Sequence, residues 1–162
     1  MQNLASNPMT HEGVSFPLCL CTDSISQQIE TIGLAFTRYN TFVRQRMRKS
    51  HRCCAIALMR NRIVSIGVNK SKTAPAYKEY VDNHKYMIHA EIDMIMQLNP
   101  SAIDKVTDIW VVRGMHHLLP SFPCKLCFSH IKSTFKPKCI LHFYNGGWIN
   151  SCLGDLIRWE DG

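Results

Sequence analysis

The stretch from Asp108 to Asn145 constrains the fold more than any other. DIWVVRG (108–114) is rich in β-branched and aromatic residues and reads as a strand. After a loop, CKLCFSHIKSTF (124–135) reads as a helix, and KCILHFYN (138–145) as a second strand that Gly146-Gly147 stops. Strand, helix, strand in this order means a crossover unit and a sheet that is at least partly parallel. Upstream, CCAIALM and IVSIGVN flank the polar turn RNR and read as a hairpin over roughly 53–60 and 62–68. Between hairpin and crossover, IHAEIDMIMQL (88–98) sets Ile88, Ile92, Ile95 and Met96 at helical spacing, and Asn99-Pro100 ends it.

The flanks complete the outline. Ile25, Ile29, Ile32, Phe36 and Val43 recur at helical steps, which predicts a helix from Ser24 to about Lys49, capped by Asp23 or Ser24. Its far end carries Arg44, Arg46, Arg48, Lys49 and Arg52. Cations there suit the helix dipole; they read either as a solvated face or as a polyanion contact. Residues 1–22 are Asn/Ser/Pro-rich and read as a flexible arm ahead of one domain over 23–162. The last fifteen residues read as a short amphipathic helix using Leu153, Leu156, Ile157 and Trp159. The expectation is a three-layer α/β/α domain with a central mixed sheet. Ligands in such sheets sit beyond the carboxyl ends of strands, where the next helices begin.

Composition narrows the class. A chain of 162 residues, 46% hydrophobic, makes one compact domain and buries roughly 70% of its unfolded surface. Nineteen Lys and Arg against 12 Asp and Glu give +7, which suits an anionic partner: nucleotide, nucleic acid or acidic surface. No apolar run reaches membrane-spanning length, and MQNLASNPMTHEG lacks the basic start and apolar stretch of a secretory signal. A cytoplasmic protein with no membrane partner is expected. There, 8 cysteines argue for metal or thiol chemistry over disulfides. Collagen, coiled coil and full disorder are excluded.

Two fragments carry chemistry. Pro123-Cys124-Lys125-Leu126-Cys127 opens a helix, so Cys124 and Cys127 point to one side of its first turn. Free N–H groups and the helix dipole favour thiolate there, the form zinc binds. A redox CxxC or half a zinc ribbon would share this spacing, but neither Cys53-Cys54 nor Cys19-Leu20-Cys21 supplies a fitting second pair. His89-Ala90-Glu91 opens the other helix. A lone His at a helix start is more often a cap or surface residue. Combined with the cysteines it makes three ligands, which leave tetrahedral zinc one open position for water. Glu91 lies about 200° round the helix from His89, better placed to act on that water than to bind the metal.

His89-x-Glu91 followed by Pro123-Cys124-x-x-Cys127 resembles the zinc-dependent cytidine deaminase superfamily. The resemblance covers roughly residues 30–145 and includes the order of elements. Its HAE form is similar to deoxycytidylate deaminases, APOBEC-type enzymes and transfer-RNA adenosine deaminases. It implies a five-stranded mixed sheet with helices on both faces, the fifth strand either lying within 148–158, where the residues read as helix, or missing. It implies zinc on His89, Cys124 and Cys127, with Glu91 as the catalytic proton shuttle. It further implies a base contact from the backbone N–H of Ala90 and one from the carbonyl of Phe122. Ser or Glu is usual at that last position, so Phe122 leaves side-chain contacts there in doubt. Asn69, in Gly67-Val68-Asn69, resembles the family's sugar-binding asparagine and could equally be a turn residue.

Weaker candidates surround these. Lys70, Lys72 and Lys78 could bind a phosphate or be solvated loop charges. Arg113, ending a strand beside the site, is a better phosphate ligand than any one lysine, because its planar fork can bind bidentately. Tyr144 could stack on a base or pack at the rim. His84, His116 and His117 read as loop residues, and Cys53, Cys54 and Cys139 as buried strand residues. Three functions compete: a deaminase of a pyrimidine nucleotide such as deoxycytidylate, a deaminase of cytosine or adenine in single-stranded nucleic acid, and an inactive zinc module. Retention of Glu91 disfavours the third, and the lack of basic-aromatic alternation disfavours the second. Relatives of this type often form oligomers, which leaves a homo-oligomer open.

Overall fold

The computed structural model describes residues 16–17, 24–40, 52–71 and 87–156. In chain order these form β1 (Phe16–Pro17), α1 (Ile25–Tyr39), β2 (Cys53–Met59), β3 (Arg62–Val68), β4 (Lys70–Ser71), β5 (Met87–Ile88), α2 (Ala90–Gln97), β6 (Asp108–Arg113), α3 (Lys125–Thr134), β7 (Ile140–Tyr144) and β8 (Trp148–Cys152). Short 3-10 helices at Pro100–Lys105 and Leu153–Asp155 follow α2 and β8.

Six strands form one sheet in the order β1-β3-β2-β6-β7-β8. β6 and β7 are parallel, joined through α3 as the crossover required; the other pairings are antiparallel. The β2–β3 hairpin turns through Arg60 and Asn61, both left-handed (φ 49° and 62°). Such turns match the twist of the strands they join. β1, inside the expected N-terminal arm, adds two residues at the edge beside Ile63 and Arg62. β4 and β5 pair separately, Lys70 with Ile88 and Ser71 with Met87.

Helices cover both faces of the sheet. On one, Ile29 and Leu34 of α1 pack with Ile56, Leu58, Ile63, Ile66, Trp110 and Val112. Gly33 lets α1 settle onto β6: a Cβ there would lie 2.6 Å from the Val112 side chain. On the other face, Ala90, Met94 and Leu98 of α2 and Phe128 and Ile131 of α3 pack with Ala55, Ala57, Ile109, Val111 and Leu141. Gly67 brings β3 against the backbone of α2, because a Cβ would fall 2.1 Å from the Ala90 carbonyl oxygen and 2.2 Å from the Met94 nitrogen.

Three expectations need correction. The first helix stops at Tyr39, with Asn40 as its C-cap, short of the expected end. Arg52 donates to the Thr37 and Arg38 carbonyls at 3.3 Å, holding that terminus. Residues 41–51, with Val43 and the arginine cluster, lie outside the described residues. In the C-terminal segment, where an amphipathic helix is expected, Trp148–Cys152 is a strand followed by the short 3-10 helix Leu153–Asp155, and Ile157 and Trp159 lie outside the described residues. Asn145 donates to the Gly147 carbonyl at 2.9 Å and Gly146 takes φ 72°, so the chain reverses and β8 pairs antiparallel with β7. Thus the fifth long strand lies at 148–152, within the range the family resemblance left for it. Third, Cys54 and Cys139 are buried as expected, but Cys53 is only partly so and faces a cleft described below. Among the described residues no helix is long and apolar enough to cross a membrane.

Candidate metal centre and active-site cleft

Two helix starts meet beyond the strand ends. His89 is the N-cap of α2 and Cys124 the N-cap of α3; both have extended backbones, and neither side chain caps its own helix. Cys127 lies in the first turn of α3, fully buried. The His89 Nδ1 stands 3.5 Å from the Cys124 Sγ and 3.5 Å from the Cys127 Sγ. One ring nitrogen carries one proton, which cannot serve two sulfurs equally. Tetrahedral ligation, with Zn–N of about 2.0–2.1 Å and Zn–S of about 2.3 Å, would place such atoms about 3.5–3.8 Å apart. The three ligand atoms all lie within 4.8 Å of one another, so the donor set and its spacing fit zinc.

The electrostatics agree. A hydrogen bond from Cys127, with a further one from His89, outweighs burial and lowers the Cys124 thiol to about 3. Cys127, as the donor in that bond and buried besides, is pushed up. Of the two sulfurs, Cys124 is the one whose surroundings favour the thiolate. Burial would lower the His89 imidazole, but its bond to Cys124 and the charges of Glu91 and Cys124 raise it on balance.

Glu91 is 4% exposed in the first turn of α2. Burial pushes its carboxyl above the ordinary range, opposed in part by its own backbone N–H and by His89. A group shifted in that direction holds a proton more readily near neutrality, as a shuttle must. It lines a cleft of about 210 Å³ with His89, Cys124, Cys53, Asn69, Arg113, Ser121 and Phe122.

The structure thus brings together Asn69, His89, Glu91, Arg113, Phe122 and Cys124, with Cys127 behind them. Asn69 is buried; its Oδ1 accepts from the Cys53 N–H at 2.9 Å and its carbonyl from Asn40 Nδ2 at 2.9 Å. The Phe122 ring packs away into Phe128 and Phe143, centroids 5.3 and 4.7 Å off. Arg113 ends β6, and its Nη1 donates to the Pro120 carbonyl at 3.4 Å. Ala90, fully buried, opens α2, where backbone N–H groups lack intrahelical partners. Two other candidates stand apart. The Lys70 ammonium is 2.9 Å from Asp93, and the Tyr144 ring sits edge-on to Trp148, 5.7 Å between centroids, and does not line the cleft. Lys72, Lys78, His84, Cys19 and Cys21 lie outside the described residues.

Sequence reasoning missed three residues here. Ser121 is buried and bonded to Tyr144 through both its N–H and its Oγ. Cys53 alternates with Cys54 along β2, so adjacent cysteines face opposite sides of the sheet. Burial first, then Glu91, pushes the Cys53 thiol well above its ordinary value. Asp93 is fully buried on α2, and its signal was a charged residue inside an otherwise apolar helical run.

A mixed sheet between helical layers, with a His/Cys/Cys group at two helix starts, defines the cytidine deaminase-like α/β fold. Solved structures share it. A cytidine deaminase from Burkholderia pseudomallei is 18% identical, with 82% of this chain and 96% of that one covered and a TM-score of 0.53. One from Mycobacterium leprae is 18% identical, covering 83% and 98%, also at 0.53. A mutant cytidine deaminase from Mycobacterium tuberculosis is 15% identical, covering 85% and 94%, at 0.54. These likenesses are of fold. No protein-family model and no curated protein sequence matches the chain.

Proposed function

We propose that this protein is a zinc-dependent deaminase that converts a cytosine-containing nucleotide, deoxycytidylate or a close relative, to the uracil product and ammonia. The carrying observation is a three-ligand group with tetrahedral spacing beside a buried carboxylate in one cleft. Zinc bound by His89, Cys124 and Cys127 would supply Lewis-acid activation, bringing the pKa of a water in its fourth position to about 7.

The chain's own groups do the rest. Glu91 takes a proton from the attacking water and passes it to the ring nitrogen, then carries a proton to the departing ammonia. The Ala90 N–H, at the positive end of α2, donates to the base, and the Phe122 carbonyl accepts from the exocyclic amine. Asn69 faces the sugar. Arg113 is the lining residue that carries a fixed positive charge, and it meets the phosphate. Lys70 is engaged by Asp93, so of the phosphate candidates Lys70, Lys72 and Arg113 the role falls to Arg113 and to Lys72, which lies outside the described residues. Among the described residues that line the cleft, Arg113 supplies the fixed cation, and one such group suffices for a single phosphate.

The test is ammonia release from a panel of mononucleotides and single-stranded oligomers, with product masses, across a range of salt. Deoxycytidylate should be turned over, with shallow salt dependence and indifference to changing Arg44, Arg46 and Arg48 to Ala. Activity confined to single strands, steep in salt and lost with those arginines, would overturn the choice in favour of a polynucleotide substrate.

A further inference from the structure

We propose that Asp93 is a positioning residue, holding the Asn69 wall of the cleft at a fixed distance from Glu91; its consequence for turnover rests on the deaminase reading above. Asp93 and Glu91 are two residues apart on α2, so they face nearly opposite sides of that helix. Glu91 looks into the cleft and Asp93 toward β3 and β4. One Asp93 oxygen accepts from the Val68 N–H at 2.9 Å and from Gln97 Nε2 at 2.8 Å. The other meets the Lys70 ammonium at 2.9 Å. Val68 and Lys70 flank Asn69, so one carboxylate grips the chain on both sides of that residue.

Two further anchors of Asn69 run to other elements. Cys53 ties it to β2 and Asn40 to the end of α1. Asp93 ties the Val68–Lys70 segment to the helix that carries His89 and Glu91, beyond the Ser65 Oγ–Met94 carbonyl bond and the close packing at Gly67 further back on β3. Lys70 also pairs with Ile88, immediately before His89, so the ion pair draws β4, β5 and α2 together. A carboxylate buried completely is unfavourable unless paired and hydrogen-bonded. An apolar residue could fill its volume but could not grip a backbone N–H and an ammonium at once.

Asp93→Asn keeps the shape and one acceptor but loses the attraction to Lys70. Four proteins decide the matter: wild type, Asp93→Asn, Asn69→Ala and the double variant. Amide exchange in Asp93→Asn should quicken about tenfold over Val68–Lys70 while the β6 amides stay unchanged. Zinc content should stay as in wild type. For deoxycytidylate, KM should rise about tenfold with kcat within about threefold, and Asp93→Asn should add nothing once Asn69 is Ala. An equal KM penalty in both backgrounds, or exchange that quickens evenly across the sheet or not at all, overturns the proposal. If Asp93→Asn does not fold, Lys70→Met, at the partly exposed end of the pair, is read by the same criteria. If wild type deaminates no pyrimidine nucleotide, the functional reading fails, and local versus uniform exchange alone upholds or overturns the Asp93 latch.

Discussion

The three α-helices among the described residues begin in two different ways. At α1, Ser24 is the N-cap: its Oγ accepts from the Gln27 N–H at 3.2 Å, and the Gln27 side chain accepts from the Ser24 N–H at 3.0 Å. That reciprocal pair satisfies two N–H groups that would otherwise lack partners. At α2 and α3 the N-cap residues, His89 and Cys124, have the same extended backbone, and neither side chain bonds its own helix. Each forgoes about 1 kcal/mol of capping. The side chains converge on each other instead, at 3.5 Å. One helix position thus serves stability at α1 and chemistry at α2 and α3.

The two ligand-bearing starts also differ from each other. The first turn of α2 is wholly buried and carries Glu91 and Asp93. The first turn of α3 exposes Lys125 and carries the thiols. Burial raises the Glu91 carboxyl, whereas the hydrogen bond from Cys127 lowers the Cys124 thiol against its partial burial. On the function proposed above, proton transfer would belong to the first helix and ligand charge to the second.

Glu91→Gln should break this division most sharply. The amide keeps the shape and cannot shuttle protons, so turnover should fall by about 10⁴-fold or more. Zinc content and thermal midpoint should hold; residual activity above about a tenth would remove Glu91 from the role. Next, the His89→Ala, Cys124→Ser double variant should take zinc from one per chain to none, measured on purified protein. Stoichiometric zinc in that variant would sink the ligand assignment. Ser24→Ala should be smaller, about 1 kcal/mol in denaturant unfolding, with zinc and turnover untouched. Smallest is Cys124→Ser measured in excess chelator. Serine there regains a capping oxygen, so the metal-free protein should gain a few tenths of a kcal/mol, while the same change in zinc destabilises. A loss in both conditions would mean that Cys124 packs structurally and that the contrast with Ser24 is false.

What could be read in advance follows from range. His89, Glu91, Cys124 and Cys127 were legible because their chemistry lies in two short fragments at helix starts. The crossover through α3 was legible because period and composition change sharply between 114 and 138. β8 was not. Leu153, Leu156 and Ile157 fit a helical spacing, and Trp148–Cys152 has no clean alternation. Asn145-Gly146-Gly147, a hairpin signal, stood between them unused. Asp93 could be noticed as odd but not interpreted, since its partners at 68 and 70 lie across a contact that only packing creates. Cys53 was assigned to the core because a strand's two faces cannot be ranked from one sequence.

The central place of β6 bears on how the protein comes to exist. β6 lies between β2 and β7, and it divides the chain in order of synthesis. His89 and Glu91 are made before it, and both thiols after it. A nascent chain that has completed α2 holds Glu91 and the His89 imidazole but no sulfur from α3 to partner it. His89 and Cys124 are 35 positions apart. Bringing such ends together costs roughly 4 kcal/mol of chain entropy, which the packing of α3 against the sheet must offset before any ion is gripped. Zinc uptake would then mark the moment the two halves of the chain join, and a truncated or stalled product would stay metal-free.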